Sequence, residues 1–222
     1  MEGRNNKSGQ KELPAKVVVL DAHGVIFRDA DDVAELLVPF VKAHNRVVAD
    51  SEINELYVKR SLGGMSAIQF WHELGITGNA EALDSTYVRG YRLSPGIRQF
   101  LTQLNGNKCQ VLCCSNDVAE WSRILRTSHS LESLIGTCVV SGDTASRKPD
   151  MAIYVELVKH LTCGPHEAAY VDDKAANLRS GEEAGMNGVL FDQDRTRNGQ
   201  WATIATNFPE LLKRLRLPGA RA

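Results

Sequence analysis

Four short segments of the chain each end an apolar run on residues that can do chemistry. The run Val17–Leu20 stops at Asp21, with His23 two residues further on. Residues 110–114 stop at Ser115 and Asn116. Residues 137–140 lead into "SGDTASRKPD", which carries Lys148, and residues 168–171 stop at Asp172 and Asp173. The set is three carboxylates, a lysine and a hydroxyl. Carboxylates crowded away from water repel one another unless something neutralises them. Lys148 supplies one positive charge. A hard divalent cation supplies two more, and Mg²⁺ binds through one or two carboxylates, retained waters and a substrate phosphate. Such a set suits phosphoryl chemistry. Asp21 is the nucleophile at phosphorus, the metal neutralises oxygens, Lys148 balances charge, and Ser115 with nearby N–H groups holds the phosphate. Each residue also has an ordinary reading. Asp21 caps a turn, Ser115-Asn116 is a turn, Lys148 is solvated, Asp172-Asp173 cap the helix at Ala175, and Asn177 is a loop-to-helix residue. Four strand ends carrying these types in turn favour the chemical reading.

Those residues meet only if the strands run side by side. The four runs, and a fifth at residues 189–191, alternate with amphipathic stretches at 96–104, 118–125, 151–161 and 175–184. Strands alternating with helices imply a mainly parallel sheet wrapped on both faces, an α/β Rossmann-like fold with its ligand site at the carboxyl ends of the strands. One region breaks the rhythm. Residues 29–92 show only helical patterns, such as Val33, Leu36, Leu37, Phe40 and Val41 on one face. They read as a small helical cap inserted after the first strand. The expected division is a disordered leader at 1–15, a core of 16–28 and 93–222, and the cap at 29–92. Phe70, Trp71 and Tyr87 read as cap packing; Arg60, His72, Arg89 and Arg92 read as a solvated face. His44, His129, His160 and His166 have no ligand spacing, and "FPELLKRLRL" reads as an amphipathic closing helix.

Composition narrows the class. The 222 residues carry a net charge of -1, with 43% hydrophobic residues. That balance gives no electrostatic case for nucleic acid or a membrane surface, and no apolar run is long enough to span a bilayer. The polar N-terminus lacks an apolar signal region. Five cysteines, two of them adjacent, suit a reducing compartment rather than a disulfide framework, and their spacing does not make a zinc site. The expected location is cytoplasmic.

The motifs resemble those of the haloacid dehalogenase (HAD) superfamily, in its usual order and spacing, over roughly residues 16–217. "VVVLDAHGVIF" resembles its first motif, "VLCCSN" its second, "RKPD" its third and "YVDDKAANLRSGEEAGM" its fourth. The fourth, with the insertion after the first, is similar to the helical-cap branch of sugar-phosphate phosphatases and the phosphatase domain of soluble epoxide hydrolases. The resemblance implies Asp21 as nucleophile and metal ligand, and a backbone carbonyl of His23 on Mg²⁺. It implies Asp173 as a direct ligand with Asp172 in support, Ser115, Asn116 and Lys148 at the phosphate, and Asn177 buttressing the metal loop. Two departures stand out. His23 occupies the position of a second aspartate that protonates the leaving oxygen and later activates water, and Ala145 stands where the third motif commonly has glycine.

Three readings of His23 follow. Imidazole, which titrates near neutrality, replaces the carboxylic acid as general acid and base. Alternatively the enzyme is a haloacid dehalogenase, since "DAHGV" is close to that group's first motif; the paired acids Asp172-Asp173 then lack a purpose. Or the shuttle is lost, leaving a slow phosphatase, a C–P hydrolase or a phospholigand-binding protein. The expectation carried forward is a Mg²⁺-dependent phosphohydrolase acting on a small phosphorylated metabolite, as a monomer or homodimer.

Overall fold

The computed structural model describes residues 12–196 and 201–219. Strands β1 (Leu13–Pro14) and β2 (Val17–Leu20) come first. A helical insertion follows. A π-helical turn, Val33–Leu37, runs into α1 (Val38–His44), then α2 (Asp50–Arg60), α3 (Ala67–Glu73) and α4 (Ala80–Val88). The wide turn sits beside Pro39, which has no N–H to give the carbonyl four residues back; Val38 bonds Val33 instead. The chain then alternates through α5 (Ile97–Gly106), β3 (Gln110–Ser115), α6 (Ala119–Ser128), β4 (Cys138–Val140), α7 (Ser141–Thr144) and α8 (Met151–Val158). It closes with β5 (Ala168–Asp172), α9 (Ala175–Glu183), β6 (Asn187–Phe191), β7 (Ile204–Ala205), α10 (Phe208–Arg214) and β8 (Leu215–Arg216).

Six strands pair in the order β4-β3-β2-β5-β6-β7, every pair parallel. The unbroken apolar run of β2 reflects its central place, covered on both faces. Its side chains alternate between two cores. Val18 and Leu20 pack with Phe100, Trp121 and Phe208 on one face; Val17 and Val19 pack with Ile153, Leu157 and Leu178 on the other. Leu20 is level with Cys113 of β3 and Val171 of β5. The next residue along each chain is therefore Asp21, Cys114 and Asp172. This register gathers the strand ends at one edge of the sheet.

Three expectations need correction. Residues 1–11 of the expected leader lie outside the described residues, but Leu13–Pro14 pair in parallel with Leu215–Arg216 and Ala15 is buried, so ordered structure begins before residue 16. The closing helix stops at Arg214 to supply that pairing. A sixth strand, β7, adds to the five expected; two residues are too short to show a period. Arg60 is not on a solvated face. It is 2% exposed and donates to both carboxylate oxygens of Asp84, at 2.9 and 2.6 Å, while its guanidinium lies over the rings of Phe70 and Trp121. The two-pronged pairing with Asp84 and the aromatic faces make burial of that charge tolerable.

The insertion is held at several places. Where the chain leaves and re-enters the core, Arg28 N–H bonds the Arg92 carbonyl and Ser94 N–H bonds the Ile26 carbonyl, both at 2.9 Å. Further out, Trp121 of α6 is buried among Tyr57, Phe70, Trp71 and Tyr87, its ring 4.4 Å from that of Tyr87. The aromatic residues expected to pack the cap therefore also join it to the core.

Candidate active site

Asp21 ends the central strand and is 4% exposed. The loop after β4 brings Lys148 beneath it. The Lys148 ammonium donates to Asp21 Oδ1 at 2.7 Å, to Asp172 Oδ2 at 2.9 Å and to the Cys114 carbonyl at 2.8 Å. Three acceptors for three N–H donors leave it fully used. Burial alone lowers the pKa of this ammonium, but Asp172 and Asp21 outweigh burial and lift it well above the ordinary lysine range. Asp21 is raised, first by burial and then by the charge of Asp172, with Lys148 opposing. One ammonium thus does not offset the crowding of the carboxylates.

The fourth motif divides its labour. Asp172 accepts from Lys148, from the Tyr170 hydroxyl at 2.6 Å, from Lys174 N–H at 2.8 Å and from Asn177 Nδ2 at 3.0 Å. Asn177, expected as a support, does hold the Asp172 carboxylate; its own carbonyl accepts from Tyr154. Oxygen atoms of Asp21, Asp172 and Asp173 lie within 4.8 Å of one another, all three residues buried. Gly24 makes room for Asp173, whose Cγ would lie 2.9 Å from any Cβ there, at a backbone φ of 81°. The donor set is hard oxygen at close quarters, which fits a magnesium ion.

Ser115 sits at the end of β3, fully buried, and its Oγ has no hydrogen-bond partner. A buried hydroxyl without a protein partner is costly unless it bonds something else, and it is available to an incoming oxyanion. Asn116 has a structural role beside the expected phosphate contact. Its side-chain amide donates to the Lys148 carbonyl at 2.8 Å and its Oδ1 accepts from Lys148 N–H at 2.7 Å. It locks the Lys148 loop against the end of β3 and keeps one side-chain N–H beyond those two bonds.

His23 lies under the cap with its side chain 5% exposed. Its Nε2 is 3.8 Å from Asp117 Oδ2 and 3.9 Å from Asp32 Oδ2, longer than hydrogen bonds but close enough to couple charges. Burial acts to lower its pKa; Asp32, Asp117 and Asp21 outweigh burial and push it up to about 9. Asp32 also accepts from the hydroxyls of Tyr57 and Tyr91, at 3.2 and 3.1 Å. Tyr57 donates as well to the Asn116 carbonyl at 3.0 Å, and the Arg147 guanidinium bonds Ser61 Oγ and lies over the Tyr57 ring. Sequence reading missed Asp32, Asp117, Tyr57 and Tyr91. Asp117 follows Ser115-Asn116 directly and offered a signal. Asp32 resembles any acid at a helix start.

A family model for haloacid dehalogenase-like hydrolases matches residues 15–185, and the chain belongs to that family. Among relatives, it is 27% identical over 112 residues to flavin mononucleotide hydrolase 1 of Arabidopsis thaliana, covering 50% of this chain and 45% of that protein. It is 23% identical over 188 residues to a phosphoglycolate phosphatase of Nitrosospira multiformis, covering 79% of this chain and 82% of that one. The chain thus spans about half the length of the first relative and most of the second. Among solved structures, a HAD phosphatase of Thermococcus onnurineus superimposes with a TM-score of 0.70 at 18% identity, covering 89% of this chain and 96% of that one. A HAD-family enzyme of Bacteroides thetaiotaomicron, solved as an Asp-to-Ala mutant with magnesium and inorganic phosphate, gives 0.66 at 14% identity, covering 84% and 99%. These likenesses bear out the α/β Rossmann-like fold and the hydrolase class. No helix among the described residues is long and apolar enough to cross a membrane.

Proposed function

We propose that this chain is a magnesium-dependent phosphohydrolase that acts on a small phosphorylated metabolite through an aspartyl-phosphate on Asp21. The observation that carries the reading is the meeting of Asp21, Asp172 and Asp173 oxygens within 4.8 Å, with Lys148 bonded to the first two and the unpartnered Ser115 hydroxyl one strand away. Asp21 and Asp173, with the His23 carbonyl, hold the metal. Asp172 has its lone pairs engaged and acts as support. Bound magnesium supplies charge neutralisation for the phosphoryl oxygens.

The chain's own residues do the rest. Lys148 aims the Asp21 carboxylate and opposes the rise in its pKa, and the Ser115 hydroxyl donates to a phosphoryl oxygen. Asp21 attacks phosphorus and the ester oxygen leaves. His23, held as imidazolium by Asp32 and Asp117, gives its Nε2 proton to that oxygen, and the neutral ring then takes a proton from the water that hydrolyses the acyl phosphate. The cap, joined to α6 through Trp121, keeps bulk water out and leaves room for a small substrate. The magnesium- and phosphate-bound Bacteroides enzyme and the phosphatases among the relatives support the reading.

The test is hydrolysis of p-nitrophenyl phosphate, then of a panel of phosphorylated metabolites, with and without Mg²⁺. Phosphate release that needs both Mg²⁺ and Asp21, with Asp21→Asn as the blank, is the expected result. Halide release from a 2-haloacid without any metal effect replaces the reading with a dehalogenase.

A further inference from the structure

Cys113 on β3 and Cys138 on β4 are direct partners in the parallel register. Side chains alternate along a strand, so the adjacent Cys114 points the other way. Cys114 packs with Val17, Val19 and Leu112, whereas Cys113 packs with Leu20, Val111 and Leu125, and Cys138 lies against that same cluster. β4 is the outer strand of the six-stranded sheet. Cys113 is 4% exposed and Cys138 only partly buried, and both line, with Arg126, a small cavity of about 10 Å³. Cys138 is therefore the more exposed residue of the pair, and its partner stands directly beside it on the same face of the sheet.

The electrostatics of the two thiols differ. The neighbouring Cys113 thiol, first, and the Arg126 guanidinium on α6 hold the Cys138 pKa below the ordinary thiol range against the effect of burial. The proximity of Cys138, with burial, raises Cys113 well above it. A partly buried thiolate beside a cation and backed by a second thiol is a microenvironment in which cysteines oxidise. Nothing in the phosphoryl chemistry uses either residue.

We propose that Cys138 and Cys113 form a dithiol site oxidised by hydroperoxides, with Cys138 reacting first and Cys113 resolving it to a disulfide. The Cys138 thiolate attacks a peroxide oxygen; an S–O bond forms, the O–O bond breaks, and the departing oxygen takes a proton from solvent. The Cys113 sulfur then attacks the sulfenic sulfur of Cys138. An S–S bond forms, the S–O bond breaks, and the hydroxide leaves as water with the Cys113 proton. The peroxide is reduced and the two thiols are oxidised, so no further co-reactant is needed. The cross-link falls one residue before Cys114, whose carbonyl accepts from Lys148 at 2.8 Å, and two before Ser115.

The test uses the full, folded chain. It is treated with hydrogen peroxide, quenched with an alkylating agent and peptide-mapped by mass spectrometry, with and without dithiothreitol. The expected product is a Cys113–Cys138 linked peptide that dithiothreitol releases, while Cys109, Cys114 and Cys163 stay alkylated. In Cys113→Ser the reaction stops at a sulfenic acid on Cys138, trapped by dimedone. Wild-type mapping that finds Cys138 and Cys113 still as thiols when Cys163 is already oxidised overturns the proposal, and it does so whether or not the variant folds. The mapping reads sulfur chemistry alone, so it stands independently of the phosphatase assay.

Discussion

The Lys148 ammonium lies 2.7 Å from the Asp21 carboxylate, with the two side chains 1% and 5% exposed. Neither charge has water to fall back on, and Asp172 at 2.9 Å draws on the same ammonium. Removing one partner of such a group costs about 3–5 kcal/mol, because the remaining charges stay buried without compensation. Lys148→Met therefore lowers stability by roughly that amount in metal-free urea unfolding. Added Mg²⁺ returns part of the loss, since the ion supplies the positive charge the variant lacks. A variant equally unstable with and without Mg²⁺ argues against metal binding at these carboxylates.

His23 gives a prediction about rate. Two residues after the nucleophile, its Nε2 lies 3.9 Å from Asp32 of the cap and 3.8 Å from Asp117 of the core. General acid–base groups contribute about 10²–10⁴-fold to turnover. His23→Asn therefore lowers kcat on a phosphate ester of poorly leaving alcohol by about that factor. The loss is much smaller on p-nitrophenyl phosphate, whose leaving group needs no proton. Equal losses on the two esters indicate a packing role for the ring rather than proton transfer.

The four strand ends were legible because each couples a buried apolar run to a chemistry-bearing residue, and parallel pairing leaves few ways to arrange them. Asp21, Lys148 and the Asp172-Asp173 pair meet for that reason. The cap was legible as helices, not as an interface. Helical periodicity places Tyr57 and Trp71 on apolar faces but does not say that Trp121, from the core, completes their cluster. Arg60 was misread for a related cause. A charged residue at a helix end reads as solvated until its partner is known, and Asp84 lies on a different helix. A second role of Asn116 was not legible: a side-chain amide beside a phosphate loop can also brace the loop, and here its Oδ1 and one N–H hold Lys148.

Arg60 and Asp84 make the cap testable apart from the chemistry. Asp84 accepts two bonds from Arg60 and one from the Trp71 indole N–H at 2.8 Å. Asp84→Ala leaves a guanidinium and an indole donor buried without an acceptor, at a cost of about 3–5 kcal/mol. Arg60→Met with Asp84→Leu removes both charges and restores much of the stability, since apolar replacements of buried pairs are often neutral. Chemical denaturation of the single and double variants checks both. A double variant no better than Asp84→Ala alone indicates that the pair does more than neutralise itself.

Ala145 tests a backbone cost next to the site. It closes α7 in the left-handed region, at φ 52° and ψ 27°, three residues before Lys148. That conformation crowds Cβ against the following carbonyl and costs a non-glycine residue about 1–2 kcal/mol, whereas glycine adopts it freely. The greater chain entropy of glycine in the unfolded state returns part of the gain. Ala145→Gly is therefore expected to raise unfolding free energy by about 0.5–1 kcal/mol, with no change in the slope against urea. The Lys148 loop keeps its position through Asn116, at 2.8 and 2.7 Å, so turnover is expected to stay within twofold or so of the parent. A variant less stable than the parent shows that the alanine methyl is packed, and that the native loop draws stability from a conformation its backbone alone disfavours.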